Sequence, residues 1–282
     1  MIGWFVRRTP HPEETTAFYR DVVGLPLLRT NRETRMFWAG ETMIFCVGAG
    51  GTTPPRFADR TETTCIPVFR CLDLESVLDR IRAAGQPVIN DRQLVRGRLI
   101  YILDPSGNVT GFQERYRFSR RAEDQTAFRR YDAGENVLPG VPPMPPDLYG
   151  LGWVVCWFED EPRGIRFYRD VVGLPDSGNP TNRGGALLSL GPTVLLDAKG
   201  GGRRQPAVAD RTQANNLFIL RVDDLAAEVR RLRGNGVRFV NEPFAAAGGK
   251  LAYFADPEGQ VIGLQERPAS SDRVEDEATG TC

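Results

Sequence analysis

A chain of 282 residues is long enough for two domains of ordinary size, each able to bury its own core. Hydrophobic residues make up 41% and charged residues 26%, the balance of a water-soluble globular protein rather than a disordered or fibrous one. Basic and acidic residues number 36 each, so no general attraction to nucleic acid or to an anionic membrane is expected.

Residues 2–8 read as a strand. The opening apolar run stops at Arg7-Arg8, too short for a secretory core, and no apolar stretch approaches the ~18 residues of a membrane span. Pro12 suits the first position of a helix, with Glu13 and Glu14 near its N-terminus, Phe18 and Val22 on one face, and Gly24 as a left-handed cap. Strand-like runs follow at 27–30, 35–39 and 42–47. The pattern then repeats. Cys65 to Cys71 is a strand, and Asp73 is a good N-cap for a helix carrying Leu74, Val77, Leu78 and Ile81 that Gly85 closes. Strands near 87–90, 98–103 and 109–114 complete a second β-α-β-β-β unit.

The nine residues Phe18-Tyr19-Arg20-Asp21-Val22-Val23-Gly24-Leu25-Pro26 return unchanged as Phe167 to Pro175, 149 residues later. Gly3-Trp4 returns as Gly152-Trp153 and Asp59-Arg60-Thr61 as Asp210-Arg211-Thr212. Asp104-Pro105-Ser106-Gly107 returns as Asp256-Pro257-Glu258-Gly259. Such self-similarity marks a duplication. We therefore expect a first domain at 1–116, a linker at 117–148, a second domain at 149–268 and a polar, disordered tail at 269–282. The second copy should have strands at 152–158 and 216–222, a helix near 161–172, and a helix at 225–234 capped by Asp224. The linker begins charged and helical between Tyr116 and Tyr131, and ends as the stiff spacer Leu138-Pro139-Gly140-Val141-Pro142-Pro143-Met144-Pro145-Pro146. Five cysteines (Cys46, Cys65, Cys71, Cys156, Cys282), odd in number and without a Cys-x-x-Cys pair, read as reduced thiols in a cytoplasmic protein.

The end of the first helix, from Phe18 to Leu25, and the later Asp104-Pro105-Ser106-Gly107-Asn108 together resemble the vicinal oxygen chelate superfamily, which holds glyoxalase I, bleomycin-resistance proteins, extradiol dioxygenases and fosfomycin-resistance enzymes. Both motifs recur in copy two, with Gln260 in place of the final Asn. The resemblance implies an α+β fold of tandem domains, each made of two βαβββ units that form a curved mixed or antiparallel sheet around a cup. Each copy is expected to pair its own two units, and the copies to pack about a pseudo-twofold axis.

Most enzymes of this fold hold a metal in the cup. The resemblance places the first ligand, commonly His, at Trp4 and Trp153, the fifth-strand ligand at Ile66 and Leu217, and the last-strand Glu at Gly111 and Gly263. A further ligand on the fourth strand falls on Phe45 or Cys46, and on Leu196 or Asp197. The single histidine, His11, stands seven residues past the ligand position. Imidazole and carboxylate are what such a site needs, so neither a metal nor any other cofactor is expected.

If the glycines face the cup, so do Gln113 and Gln265, since alternate strand residues share a face. The ligand-binding candidates are thus Trp4, Gln113, Trp153, Trp157 and Gln265, with Arg60 and Arg211 at the cup mouth as anion clamps. The plainer readings are that the tryptophans fill a vacated cup and that the Asp–Arg pairs pin their loops. Arg70 and Arg221 stand at matching strand ends. A binding cup predicts Trp4 and Trp153 partly accessible, with the glutamines on the same wall. Copy two, with Trp153 and Trp157, should form the more apolar cup, and copy one, with Trp4 and Arg8, the anion-favouring one.

Asp197, Glu114 and Glu266 are candidate proton carriers, although the glutamates are out of phase with the glutamines. One histidine nearly excludes a Ser-His-Asp or Cys-His arrangement. Gly200-Gly201-Gly202 lacks the order of a phosphate loop, and Gly248-Gly249-Lys250 reads as a hairpin turn. Catalytic residues are therefore unassigned. The first reading is a metal-free protein of the bleomycin-resistance type, monomer or homodimer, that sequesters a small aromatic or amphipathic molecule, with no nucleic-acid or membrane partner. The alternatives are a metal-independent isomerase, cyclase or lyase on the same fold, and a structural or interaction protein with filled cups.

Overall fold

The computed structural model of the chain describes all residues except 33, 41–42, 56, 95–96, 117–120, 135–139, 179–183, 207, 209, 247–248 and 268–282. The expected tail at 269–282, together with Leu138, Pro139 and Gly248, lies outside the described residues. Four units follow one another. The first is β1 (Ile2–Thr9), α1 (Pro12–Ala17), β2 (Leu27–Thr30), β3 (Thr34–Trp38) and β4 (Ile44–Ala49). The second is β5 (Ile66–Cys71), α2 (Leu74–Ala83), β6 (Val88–Leu94), β7 (Gly97–Leu103) and β8 (Val109–Glu114). The linker helix α3 (Ala122–Asp132) comes next. The third unit is β9 (Leu148–Phe158), α4 (Glu161–Arg166), β10 (Ala186–Ser189) and β11 (Leu195–Gly200), one strand short of the expected plan among the described residues, with an isolated bridge from Asp176 to Leu188 in that strand's place. The fourth is β12 (Asn216–Val222), α5 (Leu225–Gly234), β13 (Phe244–Ala246), β14 (Gly249–Ala255) and β15 (Val261–Glu266).

Helix ends fall where the side chains cap them. Asp73 Oδ1 accepts from Ser76 N at 3.2 Å and Asp224 Oδ1 from Ala227 N at 2.8 Å, which satisfies donors that the first turns leave open. The repeated segment is not α-helical throughout. Phe18–Val23 and Phe167–Val171 wind with π-type bonds, and Gly24 closes the first turn at φ +86°. This shifts the helical phase, so Tyr19 and Val23 join Phe18 in the core while Val22 is only half-buried.

The strands form two sheets. Sheet A runs β13-β14-β15-β12-β1-β4-β3-β2 and sheet B runs β10-β11-β9-β5-β8-β7-β6. The expected pairing within each copy is therefore overturned: unit one pairs with unit four, and unit two with unit three. Phe5 of β1 lies opposite Phe218 of β12, and Ile66 of β5 opposite Val155 of β9, both antiparallel. Local pattern does not discriminate between the two pairings, because β5 and β12 present nearly the same alternation of apolar residues to a partner.

The convex faces of both sheets and the helices share one core, in which the rings of Phe45 and Phe69 meet edge-on at 5.6 Å. The repeated motifs meet there too. Tyr19 donates to Asp104 Oδ2 at 3.2 Å, and Asp104 Oδ1 accepts from Ser106 N and Asn108 N at 3.0 Å each, which shapes the turn before β8. Tyr168 donates to Asp256 Oδ2 at 2.9 Å, and Asp256 Oδ1 accepts from Glu258 N and Gln260 N at 2.8 Å each. Arg7, fully buried, adds a cation only on the Asp104 side, where it also donates to Thr110, the Val109 carbonyl and Asn216. Cys156 stands at the corresponding place in copy two.

Two predictions follow from this frame. A fragment of residues 1–116 lacks the strands that complete either sheet, so light scattering should find it dimeric or aggregated; a folded monomer would contradict the exchanged pairing. Asp256, buried without a cation, is pushed up to about 6 by desolvation, against the backbone N–H of Gln260 and the Tyr168 hydroxyl. A carboxyl whose folded value lies above its unfolded one stabilises less as pH rises. Its contribution should fall by about 3 kcal/mol between pH 4 and 7. Asp256→Asn keeps an oxygen for the turn, and denaturation against pH should show that this slope is gone.

Candidate functional site

Each sheet curves around its own cup, and strand alternation decides what lines it. In cup A, Trp4 and Cys46 from unit one meet Leu217, Ile219 and Gly263 from unit four. In cup B, Trp153, Trp157 and Asp197 from unit three meet Ile66, Val68, Tyr101 and Gly111 from unit two. The fourth-strand ambiguity is thereby resolved: Cys46 shares the cup side with Trp4 and Val6, while Phe45 and Leu196 belong to the shared core.

The exchange also regroups the expected site residues. Trp4 lies with Gln265, not Gln113, and its Nε1 donates to Gln265 Oε1 at 2.9 Å. Trp153 is across β5 from β8, which carries Gln113. Neither indole is accessible as a binding cup predicts, since Trp4 and Trp153 are each 3% exposed. The room left by the glycines is taken. A Cβ on Gly263 would stand 3.0 Å from the Tyr253 ring, and one on Gly111 3.0 Å from the Tyr101 ring. Glu266 lies out of the cup as its phase requires, accepting from Leu225 N at the start of α5 at 2.7 Å.

The arginines turn inward although their aspartates pin the loops. Asp59 accepts from Thr61 N and Asp210 from Thr212 N, while the guanidinium groups reach over aromatic rings. Arg211 covers Phe244 and Tyr253 at 4.8 and 5.3 Å in cup A. Arg60 covers Trp157 and Tyr101 at 5.2 and 5.5 Å in cup B. Such stacking is favourable for a planar cation.

Cup B carries buried charge, contrary to the apolar cup expected for Trp153 and Trp157, while Arg8, expected beside Trp4, is buried at the same strand phase in cup A. Arg70 and Arg115 cover Trp153 at 4.7 and 5.4 Å. Asp124 of the linker helix α3 lies 3.2 Å from Arg115 Nε and 3.6 Å from Arg70, all three side chains buried. Two copy-two tryptophans thus face copy-one arginines, because the cup is built across the copies. Nearer the mouth, Asp197 Oδ1 forms an ion pair with Lys199 Nζ at 3.1 Å. Burial raises the Asp197 carboxyl, and Lys199 opposes that shift. The side chains of Asp197 and Lys199 are 18% and 33% exposed, so solvent reaches the cup here. The Trp157 Nε1, buried beside Arg60, has no hydrogen-bond partner among the described residues. Sequence reasoning missed Tyr101, Lys199, Arg115 and Asp124; the first two lie on strands at cup-facing phase, but only the fold shows which cup they join.

The sequence matches the glyoxalase/bleomycin resistance protein/dioxygenase superfamily over residues 1–112 and 150–264. The chain belongs to this superfamily. Solved structures agree on the fold. Glyoxalase I from Zea mays is similar with a TM-score of 0.63 at 15% identity, over 94% of this chain and 92% of that one. A putative dioxygenase from Bacillus subtilis is similar with a TM-score of 0.62 at 16% identity, over 99% of this chain and 89% of that one. No curated protein matches the chain by sequence.

The superfamily's cup metal does not fit these residues. The ligand positions hold Trp4, Cys46, Leu217 and Gly263 in cup A, and Ile66, Gly111, Trp153 and Asp197 in cup B. One thiol or one carboxylate per cup is too few donors for a transition metal. Among the described residues no three His, Cys, Asp or Glu side chains come together.

Cup A, closed by its own Trp4–Gln265 bond, is packed as core. Trp4→Ala should cost about 3–5 kcal/mol of stability in chemical denaturation. A loss under about 1 kcal/mol would mean that the cup is not packed in solution.

Proposed function

We propose that the chain is a metal-independent binding protein whose working site is the mouth of cup B, and that it takes a small aromatic or amphipathic molecule bearing a negative charge. The carrying observation is the buried Trp157 indole, whose N–H has no partner among the described residues, with Arg60 stacked across it and Tyr101. A planar ligand ring stacks on Trp157 or on the Arg60 guanidinium and accepts from the indole N–H; its anionic group pairs with Lys199 or Arg60. A ligand at the cup mouth would give this N–H the acceptor that a buried indole ordinarily has. In this reading cup A is scaffold, Trp4 and Gln265 are structural, and Arg211 anchors Phe244 and Tyr253.

One observation favours a second reading, in which the same site turns over its ligand without a metal. Asp197 faces the cup 3.1 Å from Lys199 Nζ, with its carboxyl raised by burial. Such a group holds a proton nearer neutral pH than a surface carboxylate does and can pass it to a bound carbonyl or enol. An isomerase, cyclase or lyase step would need that proton.

Titration of a panel of aromatic carboxylates against tryptophan fluorescence tests the site. We expect saturable quenching that Trp157→Ala or Arg60→Ala weakens about 10- to 100-fold, with Trp4→Phe leaving it in place. Absence of saturable quenching across the panel, or loss of folding in Trp157→Ala equal to that in Trp4→Ala, would make cup B a filled core. Turnover of a bound compound that Asp197→Asn abolishes while binding persists would establish the enzymatic reading.

A further inference from the structure

The end of cup B away from Arg60 holds donors that its own acceptors do not use. Arg70 is fully buried, its guanidinium 4.7 Å from the Trp153 ring and 5.4 Å from the Tyr149 ring. Its Nη2 donates to the Thr193 carbonyl at 3.2 Å, but its Nε and Nη1 make no hydrogen bond among the described residues. Nor does Nε of Arg115, which covers the same indole. Burial pulls the Arg115 guanidinium below its ordinary value, and Asp124 opposes that shift. Cup A shows this end packed shut, with the Trp4 indole donating to Gln265 at 2.9 Å. The matching side chains in cup B, Trp153 and Gln113, are both buried but make no such bond among the described residues.

The group that meets these donors is a carboxylate on the linker. Asp124 of α3 reaches both guanidinium groups, 3.2 Å from Arg115 Nε and 3.6 Å from Arg70. Phe128 and Tyr131 follow on the same face of the helix, and the Tyr131 ring meets that of Tyr149 at 6.1 Å. The helix therefore covers this end of the cup and sets one carboxylate against two buried cations. The residues that α3 buries are Glu123, Asp124, Ala127 and Phe128. Docking it takes two carboxylates out of water, a cost that offsets much of what their pairing returns.

We propose that this end of cup B is a binding site for the carboxylate of a small ligand with an apolar body, and that Asp124 holds the site until such a ligand displaces α3. A free carboxylate can turn both oxygens into one guanidinium fork, whereas Asp124 is fixed to its helix. The Trp153 indole and the Gln113 amide stand on the same wall, so donors buried without a partner gain one. Leu99, opposite Gln113 on β7 and half-buried, offers an apolar edge to the ligand body. Trp153 precedes Trp157 by four strand residues, about 13 Å, so this site is separate from the mouth and does not rest on the reading given for Arg60 and Trp157. Ligand and helix compete for the same two cations, and each weakens the other by the same factor.

The test uses the full chain carrying Trp157→Phe, which removes the mouth indole, with sodium benzoate as the probe, read by tryptophan fluorescence and by amide hydrogen exchange. We expect saturable quenching, exchange across Ala122–Asp132 at least about tenfold faster at saturation, and binding at least about tenfold tighter to Asp124→Asn, whose helix competes less. Arg115→Gln should abolish the response. If Arg115→Gln folds poorly, the exchange of α3 in the chain with Arg115 intact decides the matter. Benzoate that leaves α3 protected, or that binds Asp124→Asn no more tightly, makes Asp124 a fixed strut and overturns the proposal. The same response to inorganic phosphate but not to benzoate overturns the carboxylate assignment. Quenching of the unsubstituted chain that Trp157→Phe removes supports the mouth alone and overturns this site; quenching that survives Trp157→Phe and tightens in Asp124→Asn supports this site whether or not the mouth binds.

Discussion

Two buried carboxylates hold this architecture together. Asp104 and Asp256 each tie the turn before a last strand to the tyrosine of the repeated helix, and each tyrosine lies on a unit that belongs to the other sheet. A carboxylate removed from water is costly unless every lone pair finds a donor. Backbone N–H groups and the tyrosine hydroxyl provide them, so a unit that leaves its place exposes an unsatisfied charge. The nine-residue repeat is therefore a structural clamp. Its shared tyrosine and π-wound turn serve the same buried bond in both copies.

That clamp explains how units can exchange without loosening the copies. Tyr19 and Asp104 hold units one and two together at their backs, while the strands of each unit pair with the opposite copy. The chain is thus woven: sheets join across the copies and cores join within them. The linker carries the chain from the end of β8 to the edge of β5. The same linker contributes α3 to the charged end of cup B, so one segment serves as both connection and wall.

Exchange also makes the cups unequal. Both retain the curved sheet of the superfamily and both have lost its donor set, yet they have diverged in opposite senses. At the fourth-strand position cup A holds the thiol of Cys46 within an apolar cluster closed by Trp4 and Gln265. Cup B holds Asp197 beside Lys199, with Arg60 between two aromatic rings. One cup of a duplicated fold can thus be committed to packing while the other keeps polar chemistry at a mouth that water reaches. The small residue at Gly111 or Gly263, where the superfamily's glutamate would stand, admits a tyrosine ring in either case.

The sequence by itself determined the duplication, the helix caps and, in outline, the unit plan. Each depends on residue identity or on spacing within a few turns of chain, which is where side-chain size, capping and strand alternation act. The family resemblance, together with strand alternation, placed Trp4 and Trp153 on the cup side. Tertiary structure alone decided which units share a sheet, and hence which residues share a cup. Nearly identical copies present nearly identical edges, so local pattern favours neither pairing, and burial summed over the whole chain makes the choice. From that choice come the meeting of Trp4 with Gln265, of Trp157 with Arg60, and of Asp124 with two arginines that lie far from it in sequence.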